Sequence, residues 1–299
     1  MKEWKLKIRN DMKAGTRWHM DLIVELVPHS RYGNKDILNI IDYKSDMNFA
    51  YAMPDHEQHT VLATLEKWFE ELACYGCEPP FEVRSDNGSE FCSRPEWNIQ
   101  VMANFWRKHK VTHVEYASYS SFKNGKIENR NRELCEKTSA ILAASPFPLE
   151  FWEDALKFMV FILNRISVRC GATALERFTG VRPSARYIKC FGARAYVLNR
   201  HRPRSHKFSP KYFVGFLIGI SSHTERWIIY NPISKKSIGS RDVIFDETSI
   251  LAAAKSTADV QLRLHLHKNA HDESTYKDLM DHQNNISMQL NSNGQSSTF

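Results

Sequence analysis

Three carboxylates in this 299-residue chain, Asp21, Asp86 and Glu128, are placed so that a fold could bring them together. Asp86 follows Phe81 to Ser85, which alternate apolar and polar residues and read as a strand with one buried face. Asp86-Asn87-Gly88 stops that strand. A carboxylate carried from a rigid strand into a Gly-containing turn is held in place yet left open, as a metal ligand must be. Asp-Asn-Gly is also an ordinary turn sequence, so this stretch alone does not decide the matter. Asp21 lies inside a second alternating run, with Trp18, Met20, Leu22, Val24 and Leu26 facing one way and His19, Asp21, Ile23 and Glu25 the other. Asp is depleted from strands, and one in mid-strand wants a reason. Glu128 falls in the first turn of a helix starting near Asn124-Gly125, where by itself it reads as an exposed acid paired with Arg132 at i+4. Together the three meet a chemical need. Hard Mg²⁺ or Mn²⁺ ions take oxygen ligands, and phosphodiester chemistry commonly clamps two such ions between carboxylates.

The elements that must position them alternate in type. Strands are predicted over Trp18 to Val27, Asp36 to Tyr43 and Asn48 to Met53. A helix over Asp55 to Gly76 places Val61, Leu62, Leu65, Trp68, Phe69 and Leu72 on one face. The Asp86 strand comes next, then a helix over Trp97 to Lys110 and a strand over Val111 to Tyr116. Helices over Asn124 to Ala144 and Leu149 to Ile166 follow, with a short one at Thr173 to Gly180. This order predicts an α/β layer arrangement over residues 16 to 180, with acids from two strands and a helix end meeting at one sheet edge. From Tyr187 the pattern becomes short strands broken by Gly, Pro and Asn: Ala195 to Leu198, Phe213 to Ile220, Arg226 to Tyr230 and Lys236 to Phe245. They predict a small basic β domain over residues 187 to 248. Residues 1 to 15 read as a basic lead-in, and residues 249 to 299 as a polar, disordered tail.

A competing metal pattern, His56-x2-His59 with Cys74-x2-Cys77, fails on geometry. His59 and Cys74 stand near opposite ends of one predicted helix, about 22 Å apart at ~1.5 Å rise per residue. Four zinc ligands must all lie within about 2.3 Å of one ion. The six cysteines are irregularly spaced, which suggests reduced thiols inside a cell rather than a disulfide framework. No apolar run approaches the ~20 residues of a membrane span, and the opening Met-Lys-Glu-Trp-Lys-Leu has no signal-peptide core.

Net charge is +7, yet the 48 residues from Arg177 to Thr224 hold ten Lys or Arg and no acid, leaving −3 for the rest. A polyanionic partner, nucleic acid above all, is the better explanation of so long an acid-free run. Arg200, Arg202, Arg204 and Lys207 lie in a Pro-containing polar segment and are expected to be exposed and to meet phosphates.

Several stretches in order resemble the integrases of copia-type retrotransposons, whose catalytic core is ribonuclease H-like. They are His19-Met20-Asp21-Leu22, Arg84-Ser85-Asp86-Asn87-Gly88-Ser89-Glu90-Phe91 and Asn124-Gly125-Lys126-Ile127-Glu128-Asn129-Arg130-Asn131-Arg132. Phe151-Trp152-Glu153-Asp154-Ala155, Leu163-Asn164-Arg165, Thr179-Gly180-Val181-Arg182-Pro183-Ser184, Phe191-Gly192-Ala193-Arg194-Ala195-Tyr196 and Ser240-Arg241-Asp242-Val243-Ile244-Phe245-Asp246-Glu247 extend the resemblance to about Thr248. Departures are Tyr119 to Lys123, where the family has a Pro-containing, Gln-rich loop, Ser89 in place of a second Gly, and Lys126 in place of a small apolar residue.

The resemblance implies a mixed five-stranded sheet with helices on both faces, followed by the small all-β domain. It implies that Asp21, Asp86 and Glu128 are the catalytic triad and hold two Mg²⁺ or Mn²⁺ ions, Asp21 bridging both. It implies 3′-end processing and strand transfer of DNA, with the element's ends and the target DNA as partners in a homo-oligomer, in the nucleus or a cytoplasmic virus-like particle and away from membranes. Lys123, Asn124, Lys126, Arg130 and Arg132, around the start of the Glu128 helix, would hold the DNA backbone in register. The family's upstream zinc module and downstream reverse transcriptase are not within these residues, which suggests a polyprotein fragment or a stand-alone remnant. The alternatives are a DNA-binding integrase remnant without turnover and a ribonuclease H acting on RNA–DNA hybrids. The Asn-Gly-x-x-Glu helix start and the Phe-Gly-x-x-Ala-Tyr stretch argue against the second.

Overall fold

The structure is a computed structural model, and it describes residues 12–86, 88, 91, 100–115, 121–166, 168–169, 171–199, 208, 210–221 and 226–248, with the backbone alone for 100, 121–124, 168 and 169. The expected tail and most of the basic lead-in lie outside the described residues. In chain order the first part contains β1 (Arg17–Ile23), β2 (Asp36–Asp42), β3 (Asn48–Met53), α1 (Gln58–Cys74), β4 (Glu82–Ser85), α2 (Gln100–Lys108) and β5 (Thr112–Glu115). Then come α3 (Ser121–Ala143), a 3₁₀ turn (Leu149–Phe151), α4 (Trp152–Ile166), the short β6 (Val168–Arg169) and β7 (Ala172–Thr173), and α5 (Ala174–Thr179). No helix among the described residues is long and apolar enough to cross a membrane.

The first sheet runs β3-β2-β1-β4-β5. β1, β2 and β3 are antiparallel neighbours, while β4 pairs in parallel with both β1 and β5. This is the mixed five-stranded sheet of the ribonuclease H-like expectation, with β1 at its centre. Strand alternation sorts its side chains between two helical layers. Trp18, Met20, Leu38, Ile40 and Val83 pack with Leu65, Trp68 and Phe69 of α1 and Met102 and Phe105 of α2. On the other face Ile23 and Ile37 pack with Leu134 of α3 and Leu156, Met159 and Leu163 of α4. Asp21 shares parity with Ile23, so it is presented toward α3.

Several boundaries differ from the pattern in the sequence. α3 begins at Ser121 rather than near Asn124, so Glu128 lies beyond its first turn. The β1 ladder ends at Ile23 rather than Val27, because Glu25 adopts a left-handed backbone (φ 58°) and its N–H turns onto Asp36 Oδ1 at 2.7 Å. The alternation of residues 24 to 27 is therefore not strand pairing, and Val27 lies exposed. α1 begins three residues later than expected, since the Asp55 carboxylate accepts from the Glu57 N–H (3.0 Å) and the Thr60 hydroxyl (2.6 Å) and delays the helix start. The predicted strand over 236 to 245 is two strands, β11 (Lys236–Ser240) and β12 (Val243–Asp246).

That break shapes the second sheet, which comprises β8 (Arg194–Leu198), β9 (Tyr212–Ile220), β10 (Trp227–Asn231), β11 and β12 in the order β11-β10-β9-β8-β12. β11 and β12 lie at opposite edges, yet only Arg241 and Asp242 separate them. A flat sheet would hold those edges about 19 Å apart at ~4.8 Å per strand, whereas the intervening chain reaches about 11 Å. The sheet must curl until its edges meet. Gly215 on β9 permits the tight inner packing, since a Cβ there would stand 2.5 Å from Ile229 Cγ2 and 2.7 Å from the Tyr230 carbonyl.

The curled sheet is joined to the α/β layers by a shared core in which Leu142, Phe151, Ala155 and Phe158 pack with Phe191, Ala193, Val197, Leu217 and Ile229. Gly192 has φ 77°, and a Cβ there would stand 2.8 Å from Pro146 Cδ, so the Phe-Gly pair of the sequence motif is a docking joint. Arg31, in the β1–β2 connection, crosses the same joint. Its Nε meets Asp154 Oδ2 at 2.7 Å and its Nη2 donates to Ser237 Oγ at 3.0 Å. Its guanidinium also lies over the rings of Tyr32, Phe151 and Tyr230. Burial works against the charge, but Asp154 outweighs it and the Arg31 pKa is raised. Arg31→Met keeps much of the stem and leaves buried Asp154 without its cation. It should lower unfolding stability by about 2 kcal/mol, read as a lower urea midpoint.

Candidate functional site

Asp21 is half-buried on the central strand. Its Oδ2 accepts from Asn131 Nδ2 at 2.8 Å and its Oδ1 from the Leu22 N–H at 3.1 Å. Burial, reinforced by the negative charges of Asp86 and Glu128, outweighs these two donors and pushes its pKa up to about 6. Asp21 therefore feels both other members of the predicted triad, although each comes from a different element.

Asp86 is the first residue past β4 and is exposed, with Oδ1 facing the Gly88 N–H at 3.4 Å. Its backbone is fixed from behind. The buried Ser85 hydroxyl donates to the Asp86 carbonyl at 2.9 Å, and Ser85 Oγ lies 2.9 Å from His113 Nε2 on β5. His113 stacks on Trp106 with ring centroids 5.1 Å apart, and burial pushes its pKa down to about 4. Glu128 is exposed on α3, next to the fully buried Ile127.

Lys126, expected to face DNA, is committed inside the protein. Its ammonium pairs with Asp46 Oδ1 at 2.7 Å, donates to the Asp42 carbonyl at 3.1 Å and to the Tyr43 carbonyl, and lies over the Tyr43 ring. Arg177 takes the other Asp46 oxygen at 2.9 Å. Burial would raise the Asp46 pKa, but Lys126 and then Arg177 bring it below the usual carboxylate range. The start of the Glu128 helix is thereby tied to the β2–β3 turn. Arg130 pairs with Glu133 at 2.8 Å. Arg132 is exposed and reaches Asn129 Oδ1 at 3.2 Å, a different contact from the i+4 pair with Glu128 that spacing suggests. The side chains of Lys123 and Asn124, and all of Arg200, Arg202, Arg204 and Lys207, lie outside the described residues.

His59 and Cys74 occupy opposite ends of α1, and His56 Nδ1 lies 2.8 Å from Asp36 Oδ2. Among the described residues no three His, Cys, Asp or Glu side chains are close enough, as placed, to hold a metal ion together. The donor chemistry around Asp21 nonetheless fits a hard divalent cation. All three acids offer oxygen, Asp21 is held by the neutral donors Asn131 and the Leu22 N–H, and the burial and repulsion that raise its pKa both disfavour a charge that a cation would stabilise. Asp86 and Glu128 are both exposed.

Sequence reasoning missed Asn131, Ser85 and His113 as supports of these acids. It also missed Asn39 and Asn48, two Asn in predicted strands, where the argument that singled out Asp21 applies equally.

The raised Asp21 pKa has a stability consequence. The folded protein holds this proton to about 6, against 3.8 for an unperturbed Asp, so the associated stability is complete below 3.8 and lost as pH rises through 6. Asp21→Asn, which cannot ionise, should therefore stabilise the metal-free protein at pH 7.5. The gain should be on the order of 1–2 kcal/mol, and absent near pH 4, in paired thermal melts.

Comparison with known proteins agrees with this architecture. Residues 11–121 match the integrase core domain family, and residues 193–259 match the retroviral polymerase SH3-like domain family. The chain is similar to the retrovirus-related Pol polyprotein from transposon TNT 1-94 of Nicotiana tabacum, 28% identical over 233 residues, covering 77% of this chain and 17% of that protein. It is similar to the truncated transposon Ty1-A Gag-Pol polyprotein of Saccharomyces cerevisiae, 20% identical over 248 residues, covering 80% and 20%. The chain thus spans a fifth or less of these relatives' length. Among solved structures it is similar to the catalytic core domain of BIV integrase (18% identity, TM-score 0.42, covering 56% of this chain and 95% of that one). A simian T-cell lymphotropic virus intasome in complex with PP2A regulatory subunit B56 gamma is also similar (13% identity, TM-score 0.46, covering 78% and 79%). Over residues 11–121 the chain is similar to integrase core domains and over residues 193–259 to retroviral SH3-like domains, and the relatives it resembles are Pol polyproteins of copia-type transposons from a plant and a yeast.

Proposed function

We propose that this chain is a retrotransposon integrase that cuts and joins DNA, performing 3′-end processing and then strand transfer, with Asp21, Asp86 and Glu128 as its triad. The observation that carries the reading is electrostatic: the charges of Asp86 and Glu128 both act on half-buried Asp21. The three acids would hold two Mg²⁺ or Mn²⁺ ions. Bound there, such ions supply a polarised phosphodiester and an attacking water or 3′-hydroxyl of lowered pKa. The chain's own part is positioning. Asn131 and the Leu22 N–H orient the Asp21 carboxylate, Ser85 and His113 fix the backbone at Asp86, and Lys126 anchors the segment that carries Glu128. DNA, as element ends and as target, is the partner this reading requires, met by a homo-oligomer of the chain.

Glu128→Gln keeps the side chain's size and removes the charge a hard cation needs. Strand transfer and terminal cleavage on oligonucleotides, with Mg²⁺ or Mn²⁺, should fall roughly a thousandfold or more while DNA binding survives. Equal activity of the two proteins would remove Glu128 from the triad. No activity in either, with DNA binding intact, would favour a DNA-binding remnant.

The basic run has its own expected outcome. Changing Arg200, Arg202, Arg204 and Lys207 together to Ala should flatten the log–log salt dependence of duplex binding by several units, at about 0.9 per phosphate contact. An unchanged slope would show that these four do not touch phosphates.

A further inference from the structure

Behind Asp21 a file of asparagines crosses the sheet. Asn131 of α3 donates Nδ2 to Asp21 Oδ2 at 2.8 Å. Its Oδ1 accepts from Asn39 Nδ2 at 2.6 Å, and Asn39 Oδ1 in turn accepts from Asn48 Nδ2 at 2.7 Å. Asn39 stands directly opposite Asp21 in the β1–β2 register, on the same face of the sheet. At the far end Asn164 of α4 grips the backbone of Asn48 twice, its Oδ1 accepting from the Asn48 N–H at 2.9 Å and its Nδ2 donating to the Asn48 carbonyl at 2.7 Å. Asn39 and Asn48 have no exposed surface, and Asn164 is 4% exposed.

The polarity of this file is dictated from one end. An ionised carboxylate only accepts hydrogen bonds, so Asn131 must present its nitrogen to Asp21 and its oxygen to Asn39. Each later amide is then oriented in turn. The last oxygen, Asn48 Oδ1, is buried with no hydrogen-bond partner among the described residues. Buried amides that served only to pack strands against helices would not need one shared direction, nor carry an orphaned acceptor at the end.

We propose that Asn39 and Asn48, anchored by Asn164, are positioning residues that act through Asn131 to hold the Asp21 carboxylate at one angle for a divalent cation. Asn39 spends its amide on Asn131 and Asn48 and makes no side-chain hydrogen bond to Asp21 in this arrangement. It fixes the amide that does, as the hydrogen-bonding partners behind metal ligands orient those ligands in general. The inference rests on the metal-binding reading of Asp21 given above.

The test uses the full chain, Mn²⁺ as the probe and calorimetric titration as the readout, with thermal melts recorded in parallel. Asn39→Leu should weaken Mn²⁺ binding about three- to tenfold, and Asn131→Ala by at least as much. The double variant Asn39→Leu/Asn131→Ala should bind no more weakly than Asn131→Ala alone, because Asn39 acts only through Asn131. A packing role would instead lower the melting temperature and leave Mn²⁺ affinity unchanged, or the two losses would multiply; either result overturns the relay. If Asn39→Leu fails to fold, Asn39→Ser, too short to reach Asn131, replaces it under the same criteria. Asp21→Asn serves as the control. Wild-type Mn²⁺ affinity in that variant would refute metal binding by Asp21 itself, an outcome distinct from loss of binding in Asp21→Asn with no effect of Asn39→Leu.

Discussion

A negative charge held half-buried at the centre of a sheet is the constraint to which this site is built. Asp21 cannot leave the β1 ladder, and its field is deepened by Asp86 and Glu128 from two other elements. A protein can relieve such a charge with a cation or with neutral donors. Here two bases flanking Glu128 in the chain are paired with other acids, Lys126 with Asp46 and Arg130 with Glu133. Asp21 receives an asparagine amide and a backbone N–H. The local field stays negative while the carboxylate stays oriented, which is the electrostatic condition for capturing a hard divalent ion.

The same economy of charge organises the rest of the molecule. The Lys126–Asp46–Arg177 cluster binds the segment carrying Glu128 to the β2–β3 turn. Arg31 does comparable work at the joint between the α/β layers and the curled sheet, where it meets Asp154, Ser237 and three aromatic rings. With the shared core around Phe151, Phe158 and Phe191, this joint holds the second sheet against α4. The small β domain is thus anchored to the layers that carry the acids.

Most of the fold was legible because its signals are local. Apolar residues at helical spacing marked α1, and alternation marked β1 and β4. The errors fell where a non-local bond overrode a local pattern. Alternation past Ile23 suggested more strand, but Glu25 turns its N–H onto Asp36. The stretch over 236 to 245 suggested one strand, but its second part, β12, pairs with β8 and lies at the opposite edge of the sheet from β11.

The site divides along the same line. The rarity of Asp in strands marked Asp21 locally, whereas Asp86 and Glu128 each had an ordinary local reading and stood out only as members of the set of three acids and through the family resemblance. Asn131, Asn39 and Asn48 are as much a part of the arrangement, yet nothing in their spacing links residues 21, 131, 39 and 48. Nor could composition foretell that Lys126 would be consumed by Asp46 and two carbonyl oxygens while Arg132 stayed exposed. The amino-acid sequence by itself determined which atoms are available and which faces they occupy. Which of those atoms hydrogen-bond or neutralise one another was decided only by strand register and helix packing, since these interactions act over a few ångströms between segments far apart in the chain.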